Sequence, residues 1–229
     1  MIDQKSKSVL FGNYKNQSFD PYVADYHDDL INLIEIIKNI GKPLEGSVFF
    51  DNHEENLNPE NLSNNFLRKR RTLGLLANTN NNFLEIGFNA GFSSLLLLTA
   101  NPNLSLLSFD ICMHEYTIPC FSYLKSRFGS RINLINGNSL ETLPPALAQN
   151  NNFDVFIIDG GHGLAVAEAD FCNIISRAPK NSLILFDDSD WYELRVMLDF
   201  YVFAGKVLPI IDTEGYFIIL TRCSLGLFN

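Results

Sequence analysis

Long hydrophobic runs are missing from this sequence of 229 residues. No apolar stretch reaches the roughly 20 residues that cross a bilayer, and the first residues, Met1 to Lys5, lack the apolar core of a secretory leader. Basic residues are also short. Seventeen Lys and Arg stand against 26 Asp and Glu, for a formal net charge of −9. That balance argues against a nucleic-acid backbone as the main partner, because phosphate contacts rely on clustered cations. Cysteine is sparse: Cys112, Cys120, Cys172 and Cys223 make no Cys-x-x-Cys pair and have no histidine at zinc-finger spacing. The expectation is free thiols in a reducing cytosol, in a soluble cytoplasmic protein with neither nucleic acid nor membrane as partner. Internal repeats are absent. A dinucleotide fingerprint is absent as well, since Asn89 and Phe92 stand where Gly-x-Gly-x-x-Gly needs its second and third glycines after Gly87. No Gly-Lys-Ser or Gly-Lys-Thr offers a phosphate loop.

What is present is apolar and ordered. At 46% apolar the chain can bury one good core, most economically as a single domain with an appended piece. Its organising stretch is 82–98. Phe83 to Ile86 reads as a buried strand, Gly87 and Gly91 frame a tight loop, and Ser93 or Ser94 can cap a helix that ends at Asn101-Pro102-Asn103. Upstream, residues 1–25 carry no clear period, 29–37 has helical spacing closed by Gly41 and Pro43, and Ser63 can cap a second helix through 76. Downstream, strand and helix alternate. Strands are expected at 104–110, 132–135, 153–159 and 182–187, with helices over 121–128, 164–177 and 191–203 and a helical turn that meets Pro144 and Pro145. A closing strand pair, 207–211 and 216–221, flanks Asp212-Thr213-Glu214-Gly215. The fold class expected is α/β: a doubly wound, mostly parallel, Rossmann-like sheet of seven strands with one antiparallel strand, and an N-terminal helical cover. The domain division expected is 1–80 for the cover and 81–229 for the sheet.

In such a sheet ligands bind outside the carboxyl ends of the strands. Nearly every strand delivers an acid or an amide there: Glu85 and Gly87, Asp110, Gly137-Asn138-Ser139, Asp159, then Asp187 and Asp188. The pattern Glu85-x-Gly87-x-x-x-Gly91, followed by Asp110 at the end of the second strand, resembles the class I S-adenosylmethionine-dependent methyltransferases. That resemblance implies that Gly87 and Gly91 shape a loop beside the cofactor's methionine part and that Glu85 and Ser93 lie near its amino-acid end. It also implies that Asp110 accepts hydrogen bonds from the ribose hydroxyls, with Asn138 or Ser139 bordering the adenine.

A second constellation pairs Ile158-Asp159-Gly160-Gly161-His162 with Phe186-Asp187-Asp188. On neighbouring strands about 4.8 Å apart these three carboxylates converge. Three such charges without a cation repel and force protons on, and a divalent ion that prefers hard oxygen resolves this, magnesium being well suited. The rival reading has Asp187 and Asp188 capping the following helix and Asp159 contacting the cofactor's amino group. This half of the chain is similar to the metal-dependent O-methyltransferases of the catechol and antibiotic-sugar types. The similarity implies Asp159, Asp187 and Asp188 as the magnesium ligands. Where the catechol type has a lysine base, this chain has His162, which either acts as the base or simply starts the next helix.

The expected chemistry is direct methyl transfer to a small-molecule acceptor, with Asp159 and His162 as the catalytic residues and the N-terminal segment closing over the site. Two other functions stay open, a non-catalytic cofactor-binding module and a nicotinamide oxidoreductase. Trp191 either walls the acceptor pocket or begins the core face of its helix. The run Arg68 to Arg71 either receives an acidic substrate or forms a solvated face. His27, His53 and His114 show no ligand spacing, and the oligomeric state is open, a homodimer included.

Overall fold

The computed structural model describes residues 23–51, 57–213 and 216–221. Its elements in chain order are α1 (Val23–Ile40), α2 (Leu67–Thr79), β1 (Asn82–Ile86), α3 (Phe92–Ala100), β2 (Ser105–Asp110) and α4 (Thr117–Phe128). They continue with a 3-10 turn (Gly129–Arg131), β3 (Ile132–Asn136), α5 (Ser139–Gln149), β4 (Val155–Ile158), α6 (Leu164–Ile175), β5 (Leu183–Asp187), α7 (Tyr192–Phe203), β6 (Val207–Thr213) and β7 (Tyr216–Thr221). No helix among the described residues is long and apolar enough to cross a membrane.

The seven strands form one sheet in the order β3-β2-β1-β4-β5-β7-β6. β4 runs parallel to β1 and β5, and β7 runs antiparallel to both β5 and β6, so the sheet is the expected mixed one with a single reversed strand. All four positions of β4 are buried, as an uninterrupted apolar run in a central parallel strand requires. At the edge, β6 carries Pro209 and a register irregularity between Pro209 and Ile211. A residue without an N–H is tolerated at such an edge, and a broken register makes the edge a poor template for another chain.

The chain divides into two compact units. One contains the strands with α5, α6 and α7, from residues 82–87, 106–111 and 133–229. Its core is a cluster that includes Leu84, Phe109, Phe156, Phe171, Ile184 and Leu198, each burial contributing about 1.5–3 kcal/mol. The other unit, from residues 1–81, 88–105 and 112–132, contains α1 to α4. An aromatic cluster centres it: Phe49 lies 5.2 Å from Tyr26 and 5.6 Å from Phe92, and Phe50 lies 5.8 Å from Phe92, ring to ring. The phenylalanine-rich composition is spent on packing of this kind.

Several local expectations need correction. Helix α5 does not stop at Pro144 and Pro145 but runs through both to Gln149. Leu143 and Leu147, one turn apart, are buried in the core, and that burial outweighs the hydrogen bonds the prolines delete. Neither Ser93 nor Ser94 caps α3. Gly91 holds the cap position with φ 77°, and both serines are buried in the first turn. Ser63 does not cap α2, which begins at Leu67; its hydroxyl donates to Asp51 Oδ1 at 2.7 Å instead. The turn between β6 and β7, His53 and Cys223 lie wholly or partly outside the described residues. Among the described residues, Cys112, Cys120 and Cys172 form no disulfide.

Candidate active site at the strand ends

The sequence order of the strands jumps between β1 and β4, and the register there explains the site. Ile86 pairs with Ile158, and Ile158 with Phe186, so the next residue of each strand, Gly87, Asp159 and Asp187, stands in one row at the carboxyl ends. This is the switch point of the sheet, where open α/β folds bind ligands. Gly87 is required by contact as well as by conformation: at φ 97°, a Cβ would stand 1.9 Å from the Asp159 carbonyl oxygen. Within the helical unit, a Cβ on Gly91 would meet the Phe88 ring at 2.5 Å and Leu124 Cδ1 at 2.7 Å.

Asp159, Asp187 and Asp188 are half-buried, and one carboxylate oxygen from each lies within 4.8 Å of the others. Asp188 reaches the cluster from a left-handed backbone, φ 51°, a conformation that costs a non-glycine residue of order 1 kcal/mol and that collects at functional sites. Helix α7 starts at Tyr192 with Trp191 at its cap, so neither aspartate occupies the cap position that the rival reading gave it. His162 precedes the Gly163 cap of α6 and pairs through Nδ1 with Asp188 Oδ2. The hydrogen bond to Asp188 is the main cause that raises the His162 pKa above its usual value. Desolvation opposes it, and the charges of Asp188, Asp159 and Asp187 add to it. Trp191 stacks on His162 with ring centroids 5.3 Å apart and an interplanar angle of 30°. It is half-exposed and so is no core residue of its helix.

The other predicted residues are placed as follows. Asp110 ends β2, half-buried, and its carbonyl accepts from the Gly137 amide at 2.9 Å. Asn138 caps α5, its side-chain oxygen accepting from the Leu140 amide at 3.1 Å. Ser139 donates to Asp170 Oδ2 at 3.1 Å. Glu85 is fully buried and accepts from the Ser108 hydroxyl at 2.7 Å across the β1 and β2 strands. Gly91 and Ser93 belong to the helical unit. So does Asn89, whose φ is 53° and whose amide donates to the carbonyls of Glu45 and Gly46.

Sequence reasoning missed two polar groups here. Ser108 interrupts the apolar run of β2, a signal available in the sequence. Asp170 takes an inward position beside Ala167, Phe171 and Ile174 on α6; burial raises its pKa to about 6, and the Ser139 hydrogen bond opposes the rise. Its Oδ1 has no partner among the described residues. The basic run on α2 is not wholly solvated, because Arg70 is buried and donates to the Val48 and Ser63 carbonyls at 2.9 Å each.

Residues 84–189 match the model of a family described as methyltransferase domain, a span that includes every strand-end residue named above, from Glu85 to Asp188. No curated protein sequence matches the chain. Among solved structures it is similar to cofactor-bound Rv0187 from MTB, with 20% identity and a TM-score of 0.63 over 90% of this chain and 99% of that one. It is similar also to CalS11, a TDP-rhamnose 3′-O-methyltransferase of calicheamicin biosynthesis, with 17% identity and a TM-score of 0.59 over 85% and 93%. MycE of the mycinamycin pathway, in complex with Mg, SAH and mycinamycin VI, gives 15% identity and a TM-score of 0.54 over 83% of this chain and 53% of its own. At these identities the likeness is one of fold. These findings favour a methyltransferase over the nicotinamide alternative: residues 84–189 are similar to a methyltransferase domain, and the fold around them is the one shared with the solved structures named here.

Proposed function

We propose that this chain is an S-adenosylmethionine-dependent methyltransferase that acts on an oxygen of a small-molecule acceptor and uses a divalent metal, magnesium first among candidates, held by Asp159, Asp187 and Asp188. The observation that carries the reading is the convergence of three carboxylates within 4.8 Å, a set of hard oxygen donors suited to such an ion. The fold likeness to a sugar O-methyltransferase and to MycE, which binds Mg and SAH, supports it. When bound, the metal supplies charge that lowers the pKa of an acceptor hydroxyl, and S-adenosylmethionine supplies a methyl group already activated as a sulfonium.

The chain's own residues do the remaining work. In this reading Gly87 and Gly91 keep the loop open to the cofactor, Asp110 accepts from the ribose hydroxyls, Asn138 and Ser139 border the adenine, and Glu85 and Ser93 serve its amino-acid end. Asp188 holds Nδ1 of His162, which leaves Nε2 to take the acceptor's proton. Residues 1–80 act as a cover that excludes water, over a cofactor-binding domain of 81–229. Positioning and electrostatics are the chief sources of rate, because the methyl donor is already reactive. A cytosolic location and an acceptor other than nucleic acid complete the proposal.

The test is calorimetric titration with S-adenosylhomocysteine in magnesium and in chelator, followed by methyl transfer to a panel of hydroxylated small molecules. Binding is expected in both titrations. Turnover is expected to need the metal and to fall about 10²–10⁴-fold in His162→Ala, the usual worth of a general base, and at least as far in Asp187→Asn. Full turnover in chelator would remove the metal, and no binding at all would remove the cofactor assignment.

A further inference from the structure

Helix α7 is apolar on two opposite faces. Leu194, Met197 and Leu198 face the core, while Tyr192, Val196, Phe200 and Phe203 are 81%, 52%, 62% and 92% exposed. At 100° per residue these four fall within an arc of about 80°, so they form one outward stripe along the whole helix. A helix that is apolar all round is normally buried all round. Aromatic side chains offer about 150–250 Å² each, so three rings this exposed leave on the order of 450 Å² of ring surface on one helix face. Patches of that size on a soluble protein mark interaction sites.

We infer that this stripe is a homodimer interface, in which α7 packs antiparallel against α7 of a second copy about a two-fold axis near residue 197. An isologous contact demands a self-complementary surface, and the stripe is one. Antiparallel pairing sets Tyr192 against the second copy's Phe203 and Val196 against its Phe200. Along one flank of the stripe run Arg195 and Asp199, paired within the helix at 3.1 Å. In an antiparallel pair each flank meets the same flank of the other helix, so Arg195 of one copy faces Asp199 of the other and no like charges are opposed. The area fits too. A stable interface takes about 800 Å² per partner, with a core richer in aromatic residues than its rim, and the three rings supply that core. A membrane surface fits less well, because the chain carries a net charge of −9 and anionic lipid would repel it.

The experiment is sedimentation velocity and equilibrium on the full chain from about 1 to 100 μM, with flotation against phosphatidylcholine–phosphatidylglycerol vesicles. A dimer is expected, with its dissociation constant weakened at least about 100-fold in Phe200→Glu/Phe203→Glu, as loss of two central rings does elsewhere. Both side chains are exposed, so the variant should keep its fold, checked by circular dichroism. Arg195→Asp should also dissociate the dimer, and Arg195→Asp/Asp199→Arg should restore it. A monomer throughout, a dimer indifferent to these changes, or a monomer that floats with vesicles through this stripe would each overturn the inference.

Discussion

Asp170 shows what a single buried acid does to the molecule's pH response. Its folded pKa of about 6 stands above the roughly 3.9 of an unfolded aspartate, so the fold favours the protonated form. The stability this group contributes is therefore fully present below about pH 4 and is lost as pH rises through 6. Asp170→Asn, neutral at every pH, should flatten that slope and leave the protein up to about 2 kcal/mol more stable than the parent at pH 7.5, with little difference at pH 4. Urea unfolding at the two pH values measures it. An unchanged slope would mean that Asp170 ionises freely in the folded protein. Nothing in the local sequence announces this residue. An acid on a helix reads as solvent-facing until the packing partners of that face are known, whereas Asp159, Asp187 and Asp188 were legible because they stand at the carboxyl ends of apolar strands.

Among elements, α2 does something its sequence disguises. The run Arg68 to Arg71 has the look of a charged surface, yet Arg70 lies three and seven residues before Leu73 and Ala77, which are buried with it. From there its guanidinium holds the Val48 and Ser63 carbonyls and lies 5.8 Å from the Phe49 ring centroid. Arg70→Leu would leave those two carbonyls buried without their donor. A loss of about 2–4 kcal/mol is expected from two unmet acceptors and the lost contact with the ring, read as a lower denaturation midpoint. A midpoint within error of the parent would show that water replaces the guanidinium. Helix α5 teaches the converse: Pro144 and Pro145 are strong local stop signals, and Leu143 and Leu147 override them through contacts distant in sequence. Elements whose signal was apolar periodicity, β1, β4 and α7 among them, were readable, and those decided by partners across the core were not.

For the whole molecule, the strand-end row ties ligand binding to stability. A cofactor analogue that binds only the folded chain stabilises it by mass action, about 2.7 kcal/mol at a hundred times its dissociation constant. S-adenosylhomocysteine at that excess should therefore raise the thermal midpoint of this chain by roughly 5–11 °C, at about 2–4 °C per kcal/mol for a chain of this size. Since Gly87 admits the Asp159 backbone only for want of a Cβ, Gly87→Ala should lose this shift altogether.

Strand order also bears on how the protein is made. The last described strand to be synthesised, β7, is not an edge strand: it lies between β5 and β6. From the end of β5 at residue 187 to the end of β7 at 221 is 34 residues, roughly 2–7 s of translation at about 5–20 residues per second. Throughout that interval the nascent chain presents one unpaired side of an apolar strand to the ribosome's surroundings, which makes this a window in which a holding chaperone would matter most.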